Sequence, residues 1–309
     1  MIPVIRLRKQ TGTRRRNAVD RLVKMARLIV NADDFGLTAG VNRAICELHG
    51  GGVLTSATLM ARAAATDAAV EMALAQPGLG VGCHVVLVDG EPVLPARGLP
   101  TLVEQSTGRF YPTLGTFLTR LVSGRIRAAE IEAEARAQMM LLKDRGVRLT
   151  HFDTHKHTHM FGEVLEPVLR AATSCGVGAV RNPFEPAWSV AATPGAPWKR
   201  KMQVALLRRL QRGFLRSVAV AGLRTTKGAL GVLATGTLDA RSVRALVEAM
   251  QREGGAEEVF ELVTHPGYND AELAGARTRL LASRDVEREA LGALRKSPGL
   301  QLVGFGGIQ

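Results

Sequence analysis

Cysteine is scarce in this chain. Only Cys46, Cys83 and Cys175 occur, and no two of them form a CxxC pair. An odd, scattered set excludes a disulfide framework and thiolate zinc chemistry, and it reads as the reduced thiols of a cytoplasmic protein. Aromatic residues make up 4% of the chain, too few for an aromatic-rich binding module. No stretch approaches the roughly 18 uninterrupted apolar residues of a membrane-spanning helix. Acids are outnumbered, 28 against 41 Lys and Arg. The excess is concentrated in residues 1–25, where Arg6, Arg8, Lys9, Arg14, Arg15, Arg16, Arg21 and Lys24 face Asp20 alone. That segment lacks the apolar core of a secretory signal. It reads as a flexible basic leader, or as sequence upstream of a functional start at Met25, and nucleic acid is not expected as a partner.

Glycine, by contrast, is abundant at 33 residues, and short apolar runs alternate with longer amphipathic stretches. Leu28–Ala32, Thr55–Met60, Gly80–Val86, Val147–Asp153, Gly178–Arg181, 229–233, Val259–Thr264 and Leu300–Phe305 read as strands. Helices are predicted near 40–49, 63–75, 114–123, 128–145, 163–174, 199–219, 239–252 and 284–295. Repeated βα units of this kind predict a mainly parallel sheet in a TIM-like (β/α) barrel, irregular or incompletely closed. No repeat or linker divides residues 26–309, so they form a single domain.

The chemistry-bearing residues follow the strands. Asp33-Asp34 ends the first, His84 the third, and His265 the Val259–Thr264 strand. The run His151-Phe-Asp-Thr-His-Lys-His-Thr-His159 continues another. In a parallel barrel the C-terminal strand ends share one face, so these groups converge. If the run is extended, His151, Asp153, His155, His157 and His159 share one side. Five clustered polar groups need a partner, and a divalent metal satisfies neutral imidazoles well. Of two adjacent carboxylates, one can hold the metal while the other takes a proton from water. Imidazole donors favour Zn²⁺, with Mg²⁺ left open. His265, before the rigid Pro266-Gly267 turn, suits a general acid. The chain therefore reads as a metal-dependent hydrolase. A phosphoesterase on the same barrel and a non-catalytic metal- or lipid-binding protein are the other readings.

Leu28–Gly36, Gly82–Val93, His151–His159, Arg181–Ser189, Thr225–Gly231 and His265–Asp270 together resemble the YdjC-like carbohydrate deacetylases, and in particular their hopanoid-associated branch. The resemblance covers roughly residues 26–309. It departs at Thr264, where related sequences often carry cysteine. It implies a TIM-like barrel holding one divalent ion on Asp34, His84 and His155, with Asp33 as general base and His265 as general acid. Asp153, His157, His159, Arg181 and Trp188 would form the substrate-binding set. The implied substrate is a glycosylated hopanoid lipid that loses the N-acetyl group of its amino sugar.

One cluster stands apart from the site. Lys199, Arg200, Lys201, Arg208, Arg209, Arg212 and Arg216 alternate with Met202, Val204, Leu206, Leu207, Leu210, Phe214 and Leu215. The 199–216 segment reads equally as a barrel helix with a solvated basic face or as an interfacial helix on anionic lipid. In the second case the protein is cytoplasmic and peripheral on the inner face of the membrane. A homodimer is compatible with the sequence.

Overall fold

The structure is a computed structural model that describes residues 26–294 and 300–308; the basic leader expected at 1–25 lies outside the described residues. The strands are β1 (Arg27–Phe35), β2 (Ser56–Leu59), β3 (Gly80–Val85), β4 (Val103–Glu104), β5 (Arg109–Phe110), β6 (Leu149–Thr154), β7 (Ala179–Val180), β8 (Arg224–Thr225), β9 (Ala229–Leu230), β10 (Val259–Thr264) and β11 (Gln301–Leu302). The helices are α1 (Ala39–Gly50), α2 (Thr66–Ala75), α3 (Leu114–Val122), α4 (Ala128–Asp144), α5 (Gly162–Ser174), α6 (Ala187–Ala192), α7 (Trp198–Leu207), α8 (Gln211–Val220), α9 (Ala240–Glu253), α10 (Ala271–Gly275) and α11 (Ala282–Leu294).

The main sheet is parallel and runs β8-β7-β6-β3-β2-β1-β10-β9, with β11 paired to the foot of β1. It curls into a TIM-like α/β half-barrel in one domain, as the βα alternation predicts. Its two edges are bridged by one short stretch of chain. β8 pairs with β7, β9 pairs with β10, and between them the Lys227 amide donates to the Val259 carbonyl at 2.8 Å.

Alternation along β1 sorts its side chains. Leu28, Val30 and Ala32 join the large apolar layer beneath the helices, whereas Ile29, Asn31 and Asp33 belong to the barrel interior. The foot of the interior is a small apolar plug of Ile29, Ala179, Val259, Phe305 and Ile308. Above it, the His151 ring stacks on Phe305 with centroids 3.6 Å apart. Gly82 on β3 makes room for that ring, because a Cβ there would lie 2.5 Å from His151. Higher still the interior is mostly polar, and the site begins.

Local signals account for the helices that frame it. Thr38 caps α1 by accepting from the Val41 amide, and the helix buries Val41, Ala44, Ile45 and Leu48 at helical spacing. Glu134 and Gln138 project from α4 to satisfy the Val93, Leu94 and Val86 backbone. They hold down the proline-rich loop, which folds in part as the antiparallel hairpin β4-β5. The single helix expected at 199–219 is instead α7 and α8, joined by a 3-10 turn at Arg208–Leu210.

Candidate active site

Consecutive strand residues normally face opposite ways, yet Asp33 and Asp34 both turn inward. The reason is a break in β1. Asp34 adopts a left-handed backbone (φ 64°), and the pairing with β2 slips between Ala32 and Phe35. Gly36 follows at φ 98°, and its amide donates to Asn42 Oδ1 at 2.7 Å, which fixes the turn. A left-handed non-glycine residue is costly and persists where its surroundings impose it. Here it places two carboxylates side by side with different neighbours.

Asp34 faces the imidazoles. Its Oδ1 lies 3.5 Å from His84 Nε2 and 3.7 Å from His155 Nδ1, and those nitrogens are 3.3 Å apart. Its other oxygen accepts from Arg284 at 2.6 Å. The arginine thus takes one carboxylate oxygen and leaves the second for the cluster. Donor atoms arranged tetrahedrally around zinc at ~2.0–2.2 Å lie about 3.3–3.6 Å apart, so this set fits a single divalent ion. His84 is aimed from behind. Asp153 Oδ1 sits 2.7 Å from its Nδ1, the carboxylate–histidine arrangement that fixes the tautomer of a metal ligand. Burial alone would lower the His84 pKa, but Asp153, Asp33 and Asp34 push it up to about 9. A cation is therefore wanted where the Nε2 proton sits. Burial holds His155 down to about 4, neutral and ready to ligate.

Asp33, Asp153 and His84 also approach one another, but that space belongs to Arg181. Its guanidinium reaches both oxygens of Asp33 (2.8 and 2.5 Å), Asp153 Oδ2 (2.6 Å) and Glu261 Oε1 (2.7 Å). Burial would raise the Asp33 carboxyl, but Arg181, His84 and His265 hold it well below the usual range. Glu261 is pushed up to about 8, because burial and the neighbouring Asp33 and Asp153 charges outweigh Arg181. On the far side, His265 Nε2 lies 3.7 Å from Asp33 Oδ2. Its backbone amide donates to Glu287 at 2.6 Å. Burial raises the Glu287 carboxyl above its ordinary value.

The structure thus brings Asp33, Asp34, His84, His155 and His265 together, and it corrects the histidine run. β6 ends at Thr154, and His155–Met160 is a 3-10 stretch in which Lys156 and His157 are left-handed (φ 56° and 51°). His151, Asp153 and His155 therefore face the interior, and period two fails for His157 and His159. The turn is pinned by Lys156 Nζ on Asp89 (2.7 Å) and by the Thr154 hydroxyl, which accepts from the His159 amide (3.0 Å). Four members of the expected substrate-binding set are engaged by other parts of the protein. Arg181 and Asp153 are fully buried and committed to each other and to His84. His159 is buried between Thr154 and the Arg181 carbonyl. Trp188 packs edge-on against Phe260 with the outer apolar layer. His157 alone remains, partly buried and with Nδ1 unpartnered among the described residues. Sequence reasoning missed Arg284, Glu287 and Glu261. Glu261, a lone acid inside the apolar run Val-Phe-Glu-Leu-Val, was the one readable signal.

Fold and site together define a parallel α/β barrel enzyme class with a metal-competent Asp-His-His cluster at the C-terminal strand ends, flanked by a carboxylate and an imidazole. The YdjC-like protein family matches residues 27–295, and the chain belongs to that family. It is 31% identical over 248 residues to a carbohydrate deacetylase of Listeria monocytogenes serotype 4a, covering 80% of this chain and 84% of that protein. A carbohydrate deacetylase of Brevibacillus brevis is 41% identical over 158 residues, which span 51% of this chain and 60% of the relative. In fold, the chain is similar to a protein of Enterococcus faecalis V583 described as a cellobiose-phosphate cleavage protein. That likeness has a TM-score of 0.72 at 24% identity and covers 91% of this chain and 98% of the other.

Proposed function

We propose that this protein is a metal-dependent carbohydrate N-deacetylase, with an N-acetylglucosaminyl hopanoid as its substrate. The observation that carries the hydrolase reading is the division of labour forced by the β1 break. Asp34 points one oxygen at His84 and His155, while the adjacent Asp33 is held apart by Arg181 and faces His265. The relatives named carbohydrate deacetylases support the sugar amide, and the motif resemblance to the hopanoid-associated branch supports the lipid.

An amide needs its carbonyl polarised, a water deprotonated and a poor amine leaving group protonated. A divalent ion held by Asp34, His84 and His155 would supply Lewis acidity, and the nitrogen-rich donor set favours Zn²⁺ over Mg²⁺. Asp33 accepts the proton from the attacking water. Arg181 makes Asp33 a poor proton store, and the 3.7 Å to His265 Nε2 offers that proton an onward path. His265 then delivers a proton to the departing amine. His157, at the turn beside His155, is the proposed contact to the sugar.

The test is acetate and amine release by metal-loaded protein from N-acetylglucosaminyl hopanoid, beside N-acetylglucosamine oligosaccharides. Release from the lipid is the expected result. Turnover of soluble sugars alone would remove the hopanoid, and no release from either would end the deacetylase reading.

A further inference from the structure

Most helices of a barrel bury one face against the sheet. α7 does not, since none of its residues is buried. α8 is anchored by Phe214 and Val218, with Phe214 packed edge-on against Phe184. α7 extends from that anchor with an apolar stripe facing solvent. Trp198 is 65% exposed, Met202 61% and Leu206 60%, with Leu210 following at 38%. Successive members are four residues apart, so they occupy adjoining turns of one face. Exposed apolar residues scattered singly need no explanation, but a contiguous stripe marks a binding surface.

Its occupant follows from charge. Lys199, Arg200, Lys201, Arg208, Arg209, Arg212 and Arg216 flank the stripe, and no acid occurs between Glu185 and Asp239. None of those seven cations forms an ion pair among the described residues. A second copy of the same face would oppose cation to cation. A nucleic acid would meet the cations but leave the Met and Leu side chains without a partner. A bilayer with anionic headgroups satisfies both. No described helix is long and apolar enough to cross a membrane, so the contact is peripheral. It also lies at the useful end of the barrel. α7 follows the loop leaving the C-terminal end of β7, and Arg200 donates to the Thr235 carbonyl beyond the C-terminal end of β9 at 3.1 Å. The active site opens at that same end.

We propose that Trp198–Leu210 docks the protein on an anionic lipid surface. Trp198, Met202 and Leu206 enter the interface, and the flanking Lys and Arg meet the headgroups. This holds whatever the site hydrolyses. The full chain is titrated with phosphatidylcholine vesicles with and without phosphatidylglycerol, at low and high salt. Binding is followed by sedimentation, and insertion by Trp198 emission with brominated-lipid quenching. Anionic vesicles should bind in a salt-sensitive way, and Trp198 should shift to the blue and be quenched. Trp188, packed on Phe260, serves as internal background, and Trp198→Phe should abolish the shift. Reversing Arg208, Arg209 and Arg212 to Glu should weaken binding at least about a hundredfold, and reversing the exposed Arg209 and Arg212 alone should weaken it at least about tenfold with the thermal melt unchanged. Three results would each overturn the proposal: vesicle binding that leaves Trp198 unshifted and unquenched (contact through another basic segment), equal affinity for pure phosphatidylcholine, or unchanged binding by the triple variant.

Discussion

Replacing Arg181 by methionine tests the electrostatic design of the site most directly. The side chain is fully buried and is the shared partner of Asp33, Asp153 and Glu261. Methionine keeps much of the volume, so the loss is charge and hydrogen bonding rather than packing. Removing one partner of a buried ion pair costs about 3–5 kcal/mol, because the remaining charge is left uncompensated. At an unfolding entropy of about 2 cal/mol/K per residue, a chain of this size should melt roughly 5–8 °C lower. The loss depends on pH with a definite sign. Arg181 holds Asp33 and Asp153 below the ordinary carboxylate range. Their contribution is thus present above the unfolded carboxylate pKa of about 4 and is lost only as pH falls through the depressed folded values. Without the guanidinium both carboxyls rise, joining Glu261, which is already pushed up to about 8. The destabilisation should therefore be greatest near pH 8 and shrink towards pH 5, where protonation relieves the unpaired charges. Calorimetric melts of metal-free wild type and Arg181→Met across that range decide it. Arg181→Lys should recover part of the loss by restoring one charge without the bidentate fork. A methionine variant melting within 2 °C of wild type at every pH would refute the idea that this arginine neutralises the barrel interior.

Three further outcomes are expected. Asp33→Asn should retain metal, measured by elemental analysis, and lose most turnover, whereas His155→Ala should lose both; equal loss of metal in the two would exchange or remove the assigned roles. Because His84 is raised to about 9 in the metal-free protein, its stabilisation is complete below about pH 6.5 and fades as pH rises through 9. Zinc titration near pH 7.5 in buffers of different ionisation enthalpy should then show about one proton released per ion, and no release would contradict a protonated resting His84. Gly82→Ala drives a methyl into the His151 ring and should destabilise by about 1–3 kcal/mol in chemical denaturation, with a neutral result meaning that the ring can move.

Much of this architecture was legible because strands buried on both faces read as compact apolar runs ended by glycine, proline or acid. Val259–Thr264 has the same limits in sequence and in structure. What stayed illegible depends on single backbone angles and on distance in the chain. Period two places the whole histidine run on one face, but two left-handed residues, Lys156 and His157, end the pattern after His155. Nothing in Asp33-Asp34 as text says that both face inward, because that needs the positive φ at Asp34. The family resemblance alone implies a substrate contact for Arg181. That Arg181 turns instead into three carboxylates follows from partners in β1, β6 and β10. Arg284 and Glu287 sit on an ordinary amphipathic helix, and only its docking beside α1 and the strand ends gives them a role.

That last helix explains how the site keeps two adjacent aspartates from acting alike. Asp33 and Asp34 are chemically identical and neighbours in the chain, so their separation must come from what reaches each carboxylate. Arg181, just beyond β7, takes both oxygens of Asp33, so that carboxylate stays ionised. Arg284 arrives from α11 and takes one oxygen of Asp34, and the other faces His84 and His155. One turn further along α11, Glu287 holds the backbone of His265, so the same helix sets the reach of both Asp34 and the imidazole opposite Asp33. A bidentate clamp on one carboxylate and a monodentate clamp on its neighbour give two identical side chains different free oxygens, which is the asymmetry the proposed mechanism uses. The distinction is written in two arginines, neither of which needs to touch the substrate.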